Sequence, residues 1–307
     1  MTMQSHAQFV APRARGHIRF GSGGSILFAT QGEPLTLEAI EKHVPAVFAQ
    51  EAHESRSERF VPIPSRFVVE SLIKEGFQIV EARQGGSRIE GKSGFTKHRL
   101  RLRHATAPTT RTLGMLIPEI ILTNGNDGTA SYFLEAGLFR LLCLNGMTAK
   151  EADFGGIKVR HSGRADQVVS SVIEGSYQVI EAMPALIDRA GDMDATKLDA
   201  RHMNAFATAA LELRWNSRNP EAPQAPIEAA VLLNARRRED QGNSVWSLLN
   251  VAQENLIKAG QSYRTQPTEA RPKGTERTVS PIKDAGTDSA INRALWVLAS
   301  ELQKVAA

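Results

Sequence analysis

At 307 residues, with 41% hydrophobic and 23% charged side chains, the chain can bury a large core as one domain or two, and its balance is that of a soluble globular protein. No stretch approaches the roughly eighteen apolar residues of a membrane span, and Met1-Thr2-Met3-Gln4-Ser5-His6 has no apolar h-region, so neither a span nor a secretory signal is expected. The lone Cys143 excludes an intramolecular disulfide and fits a reducing cytoplasm; among Leu141, Leu142 and Leu144 it reads as a small core residue rather than a nucleophile.

In chain order, residues 1–33 read as a flexible basic arm, broken by Gly21-Ser22-Gly23-Gly24-Ser25 and charged by Arg13, Arg15, His17 and Arg19. A helix starts after Pro34, with Thr36 as its cap, and runs to about Val47-Phe48. A second helix over Arg66 to Glu75 places Phe67, Val68, Leu72 and Ile73 on one face and stops at Gly76. Strands follow at Phe77 to Arg83, Gly94 to His104, Glu119 to Thr123, Ala130 to Leu144 and Gly156 to His161. Their connections are mostly too short for helical crossovers, so the block is an antiparallel meander. From Arg164 the pattern turns helical, with Val168, Val169, Val172, Ile173, Val179 and Ile180 lining a long helix that reaches Met183-Pro184. Further helices fit 196–214, 226–238 and 244–259, a linker fits about 262–288, and Ala290 to Val305 closes the chain as a helix with Ile291, Leu295, Leu298 and Leu302 on one face. The expectation is an α+β fold: a core at 34–190 with a basic β face and a long helix packed on the meander, a helical region at 191–262, a linker at 263–288 and a terminal helix at 289–307. No internal repeat is present.

The chemistry concentrates at Lys97-His98-Arg99-Leu100-Arg101-Leu102-Arg103-His104. Alternation along a strand sends Lys97, Arg99, Arg101 and Arg103 to one face and His98, Leu100, Leu102 and His104 to the other. Arg83, Arg88, Lys92 and Arg111 extend the row, and between Arg83 and Arg111 eight basic residues face one acid, Glu90. That local excess of seven exceeds the whole chain's net +4, so the positive charge is concentrated. A one-sided row of cations suits a line of phosphates. The competing reading is a solvated face whose charge blocks edge-to-edge aggregation. Tyr132 is the best candidate to stack on a base, because its hydroxyl tolerates water.

Other chemistry has little support. His98, His104 and His161 lack Cys or carboxylate companions at metal-like spacing, and the arginines beside them oppose a cation. Asn126-Asp127-Gly128 lacks the remainder of a calcium loop and reads as a turn. Gly21 to Ser25 lacks the Lys-Ser/Thr ending of a phosphate loop, and no G-x-S-x-G elbow occurs. Glu135 and Asp153 are the only acid pair singled out for hydrolysis. No catalytic residue, metal or cofactor is assigned.

Several linked motifs, in order, resemble a known family. They are Gly76-Phe77, Thr96 to Arg101, Asn124-Gly125-Asn126-Asp127-Gly128, Gly137 to Gly146, Val159-Arg160-His161, Gly242 to Ser247, Gln253 to Ile257 and Asn292 to Trp296. Over roughly residues 60–300 the chain resembles the phage/plasmid-like proteins, a domain-of-unknown-function family found on plasmids and prophages. Where that family is expected to read Asn-Ser-His-Asp-Gly-Ser, this chain has Asn124-Gly125-Asn126-Asp127-Gly128, which removes a histidine. The arrangement of helix, basic meander and long helix is in turn similar to single-strand annealing proteins of the Erf, RecT, Redβ and Rad-fifty-two types. What the resemblance implies is a cytoplasmic, mobile-element recombination protein that binds single-stranded DNA, possessing no catalytic centre, and assembling as a ring or filament. Alternatives are a protein-binding or anti-defence factor and, third, a metal-dependent nuclease.

Overall fold

The structure, a computed structural model, describes residues 16–20, 23–29, 33–105, 116–140, 145–148, 156–159, 165–215, 224–267, 269 and 271–306. It is a mixed α/β fold built on an antiparallel sheet, with helices toward the C-terminus. The strands are β1 (His17–Phe20), β2 (Gly24–Phe28), β3 (Phe77–Gln84), β4 (His98–His104), β5 (Leu116–Asn124), β6 (Tyr132–Arg140) and β7 (Asn145–Thr148), in that spatial order, while β8 (Gly156–Val159) pairs with β6. Neighbours in sequence are neighbours in space, so the expected meander is present.

The chain divides into two compact units. One comprises Met1–Ala107, Glu119–Glu135 and Gly156–Gln178; the other comprises Pro108–Pro118, Ala136–Gly155 and Val179–Ala307. In the first, β1 and β2 form a hairpin where the sequence reads as an irregular arm. Gly23 turns the chain into β2 at φ +82°, a left-handed conformation that costs glycine no Cβ clash. Helix α1 (Leu37–His43) begins at Thr36, whose hydroxyl accepts from the Ala39 N–H at 3.2 Å. Helix α2 (Ser65–Lys74) lies against β3 and buries Val68, Val69 and Leu72. Phe67 and Ile73, expected in that buried face, are 52% and 39% exposed. The true stripe is 65, 68, 69 and 72, the i, i+3, i+4, i+7 set counted from Ser65.

The other unit holds most of the helical region. Helix α3 (Ala165–Ala195) starts in the first unit and continues through Pro184 into the second. Helix α4 (Ala200–Glu212) is capped by Asp199, which accepts from the His202 N–H at 2.9 Å. Residues 226–238 do not form the expected helix. They make a short 3-10 turn at Ala229–Leu233 and an extended segment, because Arg236 and Arg237 reach across to α5 (Val245–Ile257). The expected linker contains a two-stranded ribbon, β9 (Ser262–Arg264) with β10 (Glu276–Thr278), and the last helix α6 spans Ala285–Ala306.

Candidate nucleic-acid interface

Strand β4 lies between β3 and β5, and its register sorts the side chains as alternation demands. On one face His98 sits opposite Gln84 and Asn124, Leu100 opposite Ala82 and Leu122, and Leu102 opposite Ile79 and Ile120. Leu100 and Leu102 are wholly buried. On the other face Arg99 is opposite Arg83 and Thr123, and Arg101 is opposite Glu81 and Ile121.

That second face is not a solvated row of cations. Arg101 donates to Glu81 Oε2 at 2.8 Å and to Glu119 Oε2 at 2.7 Å through Nε, with its second terminal nitrogen 2.6 Å from the same Glu119 oxygen. Arg83 donates to Glu81 Oε1 at 2.9 Å, Arg99 reaches the same oxygen at 3.5 Å, and Arg103 donates to Glu119 Oε1 at 2.8 Å. Glu81, Arg99, Arg101 and Glu119 are all buried. Four guanidiniums close together repel, and two carboxylates bridging them convert the row into an ionic lattice. Burial alone would raise the Glu81 carboxyl; the guanidiniums of Arg83, Arg101 and Arg99 outweigh it and hold it well below the usual carboxylate range.

A bulge between Ile79 and Glu81 makes this possible. Strict alternation from Phe77 would put Ile79 and Glu81 on one face, leaving a carboxylate among leucines. The extra residue, Val80, moves Glu81 to the face of Arg101. The expectation that Lys97, Arg99, Arg101 and Arg103 stand in water is corrected accordingly. Arg99 and Arg101 are internal, Arg103 keeps 27% of its side chain accessible, and Lys97 is half-buried. Arg83 retains 13%, Arg88 is exposed, and Lys92 lies 3.6 Å from Asp127. Arg111 falls outside the described residues. Tyr132 has no exposed surface, so no base can stack on it, and burial raises its hydroxyl well above the ordinary phenol range. The sequence reading missed Glu81 and Glu119. The signal was there for Glu119: one carboxylate inside Leu116-Ile117-Pro118-Glu119-Ile120-Ile121-Leu122 needs a cation beside it.

The opposite face carries a polar lock. Asn124 donates through Nδ2 to Ile63 O at 2.8 Å and to Ser65 Oγ at 2.9 Å, and Ser65 Oγ lies 2.7 Å from His98 Nε2. His98 Nδ1 is 3.2 Å from Thr96 O, which only accepts, so in the neutral ring Nδ1 carries the proton and Nε2 accepts from Ser65. A serine held by an oriented histidine has the form of an activated nucleophile, but Ser65, His98 and Asn124 have no exposed surface. The trio ties α2 to the sheet. The turn after β5 is equally structural: Asn126 donates to Ala49 O at 3.0 Å, and Gly128, at φ +77°, leaves room that Arg56 fills. Among the described residues, no three His, Cys, Asp or Glu side chains gather as metal ligands.

Residues 52–296 match the sequence profile of a domain of unknown function, DUF932. The chain belongs to the DUF932 family. Over 284 residues it is 38% identical to the UPF0380 protein YafZ of Escherichia coli (strain K12), covering 92% of this chain and 96% of that protein. It is 37% identical to the UPF0380 protein YfjQ of the same organism over the same shares. No solved structure matches the chain.

The motifs that make this DUF932 chain recognisable serve its scaffold. Ser244 caps α5 by accepting from the Ser247 N–H at 3.0 Å, and its hydroxyl donates to Asp194 at 2.7 Å. Arg237 grips Glu254 with two bonds of 2.8 and 2.7 Å. Asn255 donates to the carbonyls of Leu232 and Asn234, and Gln253 donates to Asn292 on α6. Nearly every residue of α5 is buried, so its polar side chains act as fasteners between segments.

Proposed function

We propose that this protein is a non-catalytic binder of single-stranded nucleic acid, DNA favoured over RNA, that grips the backbone with little base preference. The observation carrying this reading is the charge balance of one segment. From Glu81 to Glu119 eight basic residues accompany three acids, Glu81, Glu90 and Glu119, an excess of five of which Asp127 beside Lys92 offsets one. A surplus of that size along so short a stretch favours a polyanion. The contacts then pass from the inner arginines to the rim. Arg88 is exposed, and Lys97, just before β4, and Arg103, near its end, are roughly 20 Å apart at about 3.3 Å per residue.

In this reading Arg99 and Arg101 stiffen the platform, and α3 is the long helix packed over it. That placement is supported by the burial of the ionic face and by the grouping of α3, up to Gln178, with β3, β4 and the Glu119–Asn124 part of β5 in one compact unit. The protein works as a homo-oligomeric ring or filament in strand annealing for a plasmid or phage, in the cytoplasm. No helix among the described residues is long and apolar enough to cross a membrane. A second reading, docking onto another protein, draws on the exposure of Phe67 at 52%, Ile73 at 39% and Tyr177 at 44%, the last hydrogen-bonded to Glu75 beside α2.

Fluorescence anisotropy of a labelled oligothymidylate across a salt series tests the proposal. Three rim contacts give a slope of log K against log salt of about −2 for a single strand. Absence of binding, or binding insensitive to salt, refutes it, and metal-dependent shortening of the oligonucleotide would indicate a nuclease instead.

A further inference from the structure

We propose that His17 and His43 form a pH-sensitive latch holding β1 on the edge of the sheet. Their rings meet with centroids 3.9 Å apart and planes tilted by 50°. His17 Nε2 and His43 Nδ1 are both shielded from water and have no hydrogen-bond partner among the described residues. Two neutral imidazoles tolerate that contact; two imidazolium ions at that separation do not.

Among the described residues, the charges that act on the pair are positive. Arg19, two residues on from His17 and on the same side of β1, adds positive charge, as does Lys42 beside His43. Strand β2, which pairs with β1 and lies against α1, has no titratable side chain in Gly24-Ser25-Ile26-Leu27-Phe28. The 3-10 turn Pro45-Ala46-Val47-Phe48 beside α1 has none either. Both histidines are accordingly lowered from their ordinary value, first by burial and then by these neighbours, with His17 itself lowering His43.

The latch joins a fixed part to a loose one. His43 ends α1, and its carbonyl accepts from the Ser25 hydroxyl of β2, so its position is set by the body of the sheet. His17 opens the four-residue strand β1, which among the described residues pairs with β2 alone. A depressed histidine stabilises the docked state fully above its unpaired value and progressively less as pH falls through that value toward the lower, docked one. Acidification below about pH 6.5 therefore loosens β1 and leaves β2 as the edge of the sheet.

The Phe28 N–H reports the event, because it donates to Gly16 O at 2.8 Å just before β1. Hydrogen exchange, corrected for intrinsic rates, should show protection of this amide falling at least tenfold from about pH 7.5 to about pH 5.5, while the Ala29 N–H, bonded to Val80 O, holds. In His43→Gln the pH dependence should vanish. Unchanged protection in the wild-type protein, or an undiminished pH dependence in the variant, overturns the proposal. Should the variant not fold, titration of the two imidazole rings by NMR in the wild-type protein decides the matter. Both must protonate below the ordinary histidine value, and a normal or raised value for either refutes the latch.

Discussion

Arg101 on β4 is clamped between Glu81 on β3 and Glu119 on β5, 2.8 Å from one carboxylate and 2.6 Å from the other, with little of any of the three side chains accessible. One guanidinium thus joins three adjacent strands. Removing it leaves Glu81 to Arg83 and Arg99 and Glu119 to Arg103, each carboxylate with an unfilled oxygen in a covered site, which costs more than the pair itself contributes. Arg101→Gln is expected to lower stability by about 3–5 kcal/mol in urea unfolding. A loss below about 1 kcal/mol would mean that water enters the lattice freely.

Acid should dissolve the same lattice. Glu81 is held below its ordinary carboxylate value, so its contribution is complete above about pH 4.5 and is lost as pH falls from there toward the depressed value. Thermal unfolding between about pH 5 and pH 3 should show a steep fall in the wild-type protein and a shallower one in Glu81→Gln. Parallel profiles would remove Glu81 from the acid response.

The apolar face of β4 answers to volume. Leu100→Ala and Leu102→Ala are each expected to cost about 2–5 kcal/mol, since both side chains are wholly buried on the apolar face between β3 and β5. Chemical denaturation with an unchanged m-value would confirm that only stability moved.

Tyr132 gives a test of opposite sign. Its hydroxyl is buried with no hydrogen-bond partner among the described residues. Tyr132→Phe should raise stability by about 1 kcal/mol, because an unsatisfied polar atom leaves the core. A base-stacking tyrosine would instead show unchanged stability and weaker oligonucleotide binding.

The meander, the partition of leucines from arginines along β4, the helix caps at Thr36 and the helical C-terminal region were legible because they rest on local periodicity and turn chemistry. What lay on the arginine face was not. Alternation gives a side chain's direction but not what covers it, and the partner carboxylates come from strands about 20 residues away on either side in sequence. The bulge at Val80 hid Glu81 further, since period-2 reading assigns it to the wrong face. The β1–β2 hairpin was missed because four- and five-residue strands beside a Gly-Ser run carry too little pattern to register. Residues 226–238 have a helical composition, and tertiary pairing of Arg236 and Arg237 with α5 overrides it.

Arg99 and Arg101 are buried in the ionic lattice, and one measurement tests the proposal that the exposed cations beside it bind nucleic acid. Arg88→Gln alters one exposed side chain, so its melting temperature should match the wild type. At about 1 kcal/mol per phosphate contact, its affinity for a labelled oligothymidylate at low salt should drop about fivefold, with the salt slope reduced by about 0.7. A folded variant that binds the oligonucleotide as tightly as the wild type would contradict the proposed rim contact.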